Sequence, residues 1–527
     1  MNLRDVYEHI ARVEAAFPVN ELVLDGENVW LPVRDLLIRP FFEHRLRTYR
    51  SVLREGSHSD PMSWELQNRS ILDLRNPPRF RHHAIDDAVL FNRHGQPYPE
   101  KTYGQPVDIL IFHSFTDYGE YVERRIFNRV SDGIREIYPA GDRVVKLLRS
   151  NASAPLLPYF HPTHFYYERN GAGVLPEPVE GEAPLLDRLR RIVAWCGDHG
   201  IPTIYLETSF LNRLRTLFRR ARRFQAFLDY FQPRAVFLSS YSNIERTAMT
   251  LAGWRSGIPV VDVEHGYMGP YSPYGALGIV PPEGYRLLPR WFWVWGRENL
   301  DFFKRSLPAG CTAHRPVIGG STWHFARQKL IAENHLTTDV LLGLPEALKA
   351  RLSAARRTVL FCWQPDMLVH ETEPHLLPPA FLQGAARCPE DILFAVRLHP
   401  RSHHLIPAFE RLLKEAGLAN WEIEETTRVP LPELLPRTDL LLTSYSTVAF
   451  EANALKIPVA LVDAFGCRMM AHYLASGIFH DGTDPEHLAR LCRDGPDAPV
   501  QPVDYLDTRP ETARAAFQTI LDDRLKP

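Results

Sequence analysis

The sequence predicts an α/β chain of two doubly wound parallel-sheet domains in tandem, facing a central cleft, with an N-terminal extension. Three observations carry this. From about residue 107, apolar runs too short for helices alternate with longer segments of helical spacing. The alternation stops once, at a polar helical stretch over residues 322–355, and then restarts. At 527 residues the chain is well beyond one typical domain.

The bulk numbers narrow the function classes. Hydrophobic residues make up 45% and charged residues 24%, ordinary for a globular protein with sizeable cores. A formal net charge of −2 gives no global field for nucleic acid. The six cysteines are scattered without a CxxC pair, which points to reduced thiols and a cytoplasmic protein. The first residues form an amphipathic charged helix with no apolar signal core, and no run of about 18 apolar residues exists to span a membrane.

Taken in order, Glu21 to Arg34 reads as a strand pair around Asp25-Gly26, and Arg50 to Tyr98 as a polar, His-rich insertion. Val107 to Phe112 is a strand with His113 to Gly119 as its exit, a helix follows to Ile137, and Val144 to Leu148 is the next strand. Leu185 to His199 is a helix, and Pro202 to Leu206 a strand exiting at Glu207. Ala235 to Leu238 leaves through Ser239-Ser240-Tyr241-Ser242, Glu245 to Ser256 is a helix, and Pro259 to Val263 exits at Glu264-His265-Gly266. Trp291 to Trp295 precedes a helix from Arg297. In the second half, Thr358 to Cys362 exits at Trp363-Gln364-Pro365, and the strand from Ile392 ends in His399-Pro400. Asp439 to Thr443 is a buried strand, Val448 to Leu455 a helix, and Val459 to Val462 the following strand. Arg509 to Leu525 is a final helix that could cross back onto the first domain.

The turn Ser444-Tyr445-Ser446-Thr447 sets hydroxyls and free backbone N–H groups before a helix, with Ser446 or Thr447 as its N-cap, which suits a phosphate. In a parallel sheet His399 lies on the same edge. The competing readings are a surface imidazole and a plain helix cap. Glu451 lies inside a mostly apolar helix, where an ion pair competes with a ligand role. Strand exits in the first domain supply the candidate bases: Asp117, the pair Glu264 and His265, and behind them Glu207. Asp117 competes with an Asx turn or an N-cap. Trp363 reads first as a packed aromatic. His161-Pro162-Thr163-His164 and His403-His404 lack a third ligand at useful spacing, so no zinc site is expected. Arg213 to Arg223 carries six arginines; it offers a contact to anionic lipid or glycan, or forms a solvated face whose stems cover apolar surface.

The two-domain rhythm, Arg397 to Pro400, Ser444 to Glu451 and the Glu264-His265-Gly266 turn resemble the GT-B glycosyltransferases, built of two Rossmann-like domains. Within these the chain is similar to bacterial capsule and lipopolysaccharide enzymes that use CMP-sugars of the Kdo or sialic-acid type. It also looks like the CDP-glycerol transferases. Here Glu264 stands where such turns carry Gln or Trp. The resemblance implies that His399, Ser446 and Thr447, with Ser444 as alternate, hold the nucleotide phosphate and that Glu451 holds the ribose. It implies a metal-independent transfer of an acidic sugar from a CMP-sugar to a glycan or glycolipid acceptor, with Asp117, Glu264, His265 or His399 in acid–base roles and no cofactor. The implied organisation is an extension over 1–100, an acceptor-side domain over 101–325, a connection over 326–355, a donor domain over 356–505 and a terminal helix over 506–527. Three alternatives remain: polyol-phosphate transfer, epimerisation of a UDP-sugar on the same fold, and a non-catalytic polysaccharide-assembly or export partner. The expected location is the cytoplasm, including the inner face of the plasma membrane.

Overall fold

The computed structural model describes residues 3–41, 84–85, 88–91, 104–114, 119–122, 125–149, 159–168, 177–270, 272–333, 344–364 and 375–523. These fall into two compact units. One contains the described residues of 4–41, 84–333 and 507–523; the other contains those of 344–506.

The first unit is built on a nine-stranded sheet. In chain order its strands are β1 (Ala84–Ile85), β2 (Ala88–Phe91), β3 (Ile109–Ser114), β4 (Val144–Arg149), β5 (Thr163–Glu168), β6 (Ala235–Leu238), β7 (Val260–Val263), β8 (Trp291–Val294) and β9 (Arg315–Ile318). The spatial order is β9-β8-β7-β6-β3-β4-β5-β2-β1. The seven strands from β9 to β5 are parallel, and β2 and β1 close one edge antiparallel. The inner strands are buried on both faces, which is why β3, β6 and β7 read as nearly unbroken apolar runs.

The helix Pro510–Asp522 belongs to this unit. Ala513, Ala516, Phe517 and Ile520 fall on one helical face and pack with Phe237, Val261 and Trp293 of the sheet. Asp523 fixes its end, accepting from Arg290 at 2.9 Å and from the Trp291 indole N–H at 2.8 Å.

The second unit carries a six-stranded sheet, all parallel. Its strands are β10 (Arg357–Cys362), β11 (Ile392–Arg397), β12 (Trp421–Glu422), β13 (Leu440–Thr443), β14 (Val459–Leu461) and β15 (His480–Asp481), in the spatial order β12-β11-β10-β13-β14-β15. The chain is therefore α/β with two Rossmann-like parallel-sheet units of seven and six parallel strands.

Several local expectations change. Residues 119–137 are not one helix: Gly119–Val122 and Arg125–Asn128 form an antiparallel hairpin, and the helix is only Ser131–Ile137. The switch is local. Asn128 Oδ1 accepts from the Val130 and Ser131 N–H groups and so starts the helix there. Pro202 to Leu206 forms no strand, and Glu207 is the first residue of the helix Glu207–Phe231. There it accepts from Arg190 at 2.8 Å, an exposed ion pair at a positive helix end. β5 was not anticipated. Its residues include His164, and Thr163 and His164 are buried sheet positions. β1 and β2 come from the section read as an insertion. Near the N-terminus the strand pair does form, Val23–Leu24 against Glu27–Asn28, with Asp25 at φ 53° and Gly26 at φ 74°, the two positive values of a type I′ turn.

The arginine-rich helix is occupied internally. Arg215 forks onto Glu182 through two hydrogen bonds of 2.6 Å, Arg213 pairs with Asp35, Arg220 lies 3.5 Å from Glu245, and Arg223 is buried. These four arginines are engaged within the protein, as the reading of stems covering apolar surface expects, while Arg222 is exposed. Among the described residues no helix is long and apolar enough to cross a membrane.

Candidate functional site

In an open parallel sheet, ligands bind beyond the carboxyl ends of the strands where the strand order reverses. In the second unit the chain goes from β10 to β11 and β12 on one side, then returns to place β13 on the other side of β10. The reversal therefore falls between β10 and β13. Their exits are Trp363-Gln364 and Ser444 to Thr447.

These two exits are tied together. The Thr443 hydroxyl donates to the Cys362 carbonyl at 3.1 Å, and the Tyr445 N–H donates to Gln364 Oε1 at 3.2 Å. Ser444 is 0% exposed, and its Oγ has no hydrogen-bond partner among the described residues. A buried hydroxyl without a partner forgoes about 1–3 kcal/mol, which sets Ser444 apart within this turn. Ser446 and Thr447 are half-buried. The Ser446 hydroxyl reaches the Val448 N–H at 3.4 Å, while Thr447 caps the helix Val448–Ala454 with its backbone only.

A second turn presses against the first. After β14, Asp463 Oδ1 accepts from the Gly466 N–H at 2.6 Å and starts the helix Ala464–Met469. A Cβ on Gly466 would lie 2.5 Å from the Ser444 carbonyl oxygen. Only glycine lets the two turns approach this closely. Tyr445 and Phe465 pack edge to face across them at 5.1 Å.

His399 follows β11 on the same edge of the same sheet and is half-buried. Its carbonyl accepts from the Ser402 N–H at 2.7 Å, which turns the chain at this point. The Arg397 side chain, at the end of β11, is half-buried and donates to the carbonyls of Thr426, at 2.6 Å, and Val429. Burial lowers the Arg397 pKa; the opposing pull comes from Cys362 and Glu451. Glu451 forms no ion pair within 4.0 Å among the described residues. The Arg397 hydrogens go instead to backbone carbonyls. Trp363 is the packed aromatic: 2% exposed, its indole N–H donates to the Leu376 carbonyl at 2.7 Å, and its ring meets Phe409 edge to face.

In the first unit the order reverses between β3 and β6, whose exits are His113-Ser114 and Ser239-Ser240-Tyr241. Asp117 lies outside the described residues. Glu264 and His265 follow β7, next to β6. Glu264 is 1% exposed. Its Oε2 accepts from the Trp295 N–H at 2.6 Å, and both oxygens accept from Asn299 Nδ2, at 2.7 and 2.8 Å. Those contacts join the end of β7 to the start of the helix Arg297–Ser306. His265 is half-buried, with Nδ1 3.4 Å from the Val263 carbonyl.

Asp262, two residues earlier, was not anticipated. It is fully buried, and its Oδ2 accepts from the Tyr274 hydroxyl at 2.9 Å and the Tyr241 N–H at 3.3 Å. Ser240 beside it holds φ 61°, the left-handed region that a non-glycine residue adopts only when its surroundings enforce it. Burial pushes the Asp262 pKa up to about 7, against the Tyr274 and Tyr241 hydrogen bonds that lower it.

A folded pKa above the unfolded value means that the fold binds the extra proton. The stability from Asp262 is complete below about pH 3.8 and is lost as pH rises through about 7. Asp262→Asn cannot ionise. It is expected to gain stability relative to the parent as pH rises from 4 to 8, by at most roughly 4 kcal/mol. Urea midpoints of the two proteins across that range check this; a constant difference would show that Asp262 is not carrying the proton.

Among the described residues no group of three or more His, Cys, Asp or Glu is placed to hold a metal ion.

No family model matches the chain, and no curated protein matches it. Solved structures do. A UDP-GlcNAc 2-epimerase from Neisseria meningitidis bound to UDP-GlcNAc aligns at 12% identity and TM-score 0.42, over 79% of this chain and 100% of that one. A putative UDP-N-acetylglucosamine 2-epimerase from Listeria monocytogenes aligns at 12% and 0.44, over 80% and 99%. A Methanocaldococcus jannaschii UDP-GlcNAc 2-epimerase in complex with UDP-GlcNAc and UDP aligns at 13% and 0.43, over 78% and 99%. At these identities and scores no residue of this chain takes a role from them.

Proposed function

We propose that this chain is a nucleotide-sugar enzyme that receives the nucleotide phosphate at the β10–β13 reversal of its second unit. The observation that carries this is the buried, unpartnered Ser444 hydroxyl in a turn that also presents Ser446, Thr447 and backbone N–H groups. Breaking the bond between a sugar and its nucleotide builds negative charge on phosphate. In a metal-free site, hydroxyls and oriented N–H groups must carry that charge, with a protonated His399 adding to them or giving a proton to the leaving oxygen. Glu451 is proposed for the ribose hydroxyls. In the first unit the lone pairs of Glu264 are taken up by Trp295 and Asn299, so we assign it to holding the turn and His265 to proton transfer; Asp117 keeps its candidacy.

Two reactions fit such a site. UDP is the nucleotide named in the similar solved structures, and epimerisation of a UDP-sugar would need no acceptor. CMP is the nucleotide implied by the motif resemblance, and transfer of an acidic sugar would need a glycan or glycolipid acceptor. Product analysis separates them. Protein in EDTA, given a UDP-sugar alone, yields the epimer in the first case. In the second, CMP is released only when a CMP-sugar and an acceptor are both present. Either activity is expected to fall at least about a hundredfold in His399→Ala with the fold intact. Full activity in that variant would remove His399 from the site, and no turnover of any nucleotide sugar would favour the non-catalytic reading.

A further inference from the structure

All six cysteines are free thiols. Two of them, distant in sequence, meet inside the second unit. Cys388 follows the helix Pro379–Ala385, and Cys492 lies in the helix Pro485–Asp494. The two helices approach closely at Gly384, where an added Cβ would sit 3.0 Å from the Pro485 carbonyl oxygen. The Cys388 sulfur lies 3.5 Å from the Gly384 carbonyl and 3.9 Å from that of Ala489, one turn before Cys492. The Cys388 sulfur thus reaches the helix that carries Cys492, one turn from that residue. Cys388 is partly exposed and Cys492 is buried.

We propose that Cys388 and Cys492 are an oxidant-responsive pair that closes to a disulfide within the second unit. The oxidant is a hydroperoxide, and its point of attack is the accessible sulfur. The Cys492 thiol favours the Cys388 thiolate; burial opposes it, and the guanidiniums of Arg493 and Arg356 support it. By contrast, burial pushes the thiols of Cys362 and Cys467 up to about 12. In the first step the Cys388 thiolate attacks one peroxide oxygen. An S–O bond forms, the O–O bond breaks, and the leaving oxygen departs as water when hydrogen peroxide is used. In the second step the Cys492 sulfur attacks the Cys388 sulfur of the sulfenic acid. The S–S bond forms, the S–O bond breaks, and hydroxide leaves as water with the Cys492 proton. Two thiols and one peroxide give one disulfide and two waters, the sulfurs supplying both electrons.

The test treats the full chain with hydrogen peroxide at a small molar excess. The expected result is loss of two of the six thiols, a mass lower by two hydrogens, and a nonreduced digest in which the Cys388 and Cys492 peptides are joined. Dithiothreitol reverses all three. The oxidised protein melts at a higher temperature than the reduced one, because the bridge closes a long loop. Cys388→Ser, at a partly exposed position that tolerates the change, shows neither the joined peptides nor the melting shift. The inference is overturned if the joined peptides contain another cysteine pair. It is also overturned if dimedone traps a lasting sulfenic acid at Cys388 with no bridge, or if Cys388→Ser loses two thiols as the parent does.

Discussion

Lys146→Met is expected to destabilise the first unit by about 3–5 kcal/mol, the cost of stranding one charge of a buried pair. Lys146 lies on β4 and Asp132 in the facing helix Ser131–Ile137; both side chains are 0% exposed and in direct contact. Burial lowers the Lys146 pKa, and the Asp132 charge opposes that shift. The Tyr159 ring lies 5.6 Å from the ammonium. Asp132 is also the acceptor for the Asn128 N–H, at 2.6 Å, so it cannot turn away to water without opening the turn that starts its helix. With Lys146 gone, the carboxylate is left charged in an apolar interior or must take up a proton. Asp132→Asn in the same chain removes the stranded charge and keeps an acceptor for Asn128. The double variant is therefore expected to recover most of the loss. Urea unfolding measures the size of the effect, and hydrogen exchange gives its place. Protection should fall in β3 and β4 and stay unchanged in β10, β13 and β14. Equal loss in both units, or no recovery in the double variant, would contradict this account of the pair.

Gly319→Ala should be nearly as damaging, about 3 kcal/mol or more, for a steric reason. A Cβ at this position would lie 1.8 Å from Trp293 Cε2 and 2.2 Å from Cδ2. The indole cannot retreat. It is 0% exposed, donates to the Gly320 carbonyl at 2.9 Å, and is packed at 4.8 Å between centroids against Phe517 of the C-terminal helix. Gly320 next to it holds φ 75°, so the backbone has little freedom to absorb the added methyl. Gly197→Ala is the matched control: it is a helical glycine with nothing within 4 Å of its added Cβ, and the change should be neutral or mildly stabilising. Both variants can be read by urea midpoint. A Gly319→Ala protein as stable as the parent would mean that the Trp293 packing yields.

Much of the fold was legible in the sequence, because a parallel sheet buried on both faces writes itself as short apolar runs. β6 begins and ends where the run Ala235 to Leu238 does, and β11, β13 and β14 differ from their runs by a residue or so at the ends. What stayed hidden depends on partners distant in sequence. The run Thr163 to Glu168 becomes a strand because β4 and β2 lie on its two sides, and neither contact is written in those six residues. Conversely Pro202 to Leu206 looks like a strand but has no neighbour in the sheet.

The candidate site divides in the same way. Ser444, Ser446, Thr447 and His399 could be named because strand, hydroxyl turn and helix follow one another in the chain. Gln364 and Gly466 could not, since their importance appears only when the exits of β10 and β14 are brought against the exit of β13. The roles open to Glu264 and Asp262 were decided by burial and by the groups opposite them, Asn299 in one case and Tyr274 in the other. A faint signal was present for Gly466: an Asp followed three residues later by Gly, just after a buried strand, marks a capped helix start.

The most direct test of the phosphate site is calorimetric titration of UDP, CMP, CDP and GDP into the protein in EDTA, repeated with Gly466→Ala and Ser446→Ala. One pyrimidine nucleotide is expected to bind in preference to GDP. Both variants should weaken that binding by roughly tenfold to a hundredfold, with melting curves that show folded protein: the first displaces the Ser444 carbonyl, and the second removes a hydroxyl donor. Selective UDP binding would direct the next assay to epimerisation, and selective CMP binding to transfer. If no nucleotide binds, or if both variants bind as the parent does, the β10–β13 reversal is not a phosphate site.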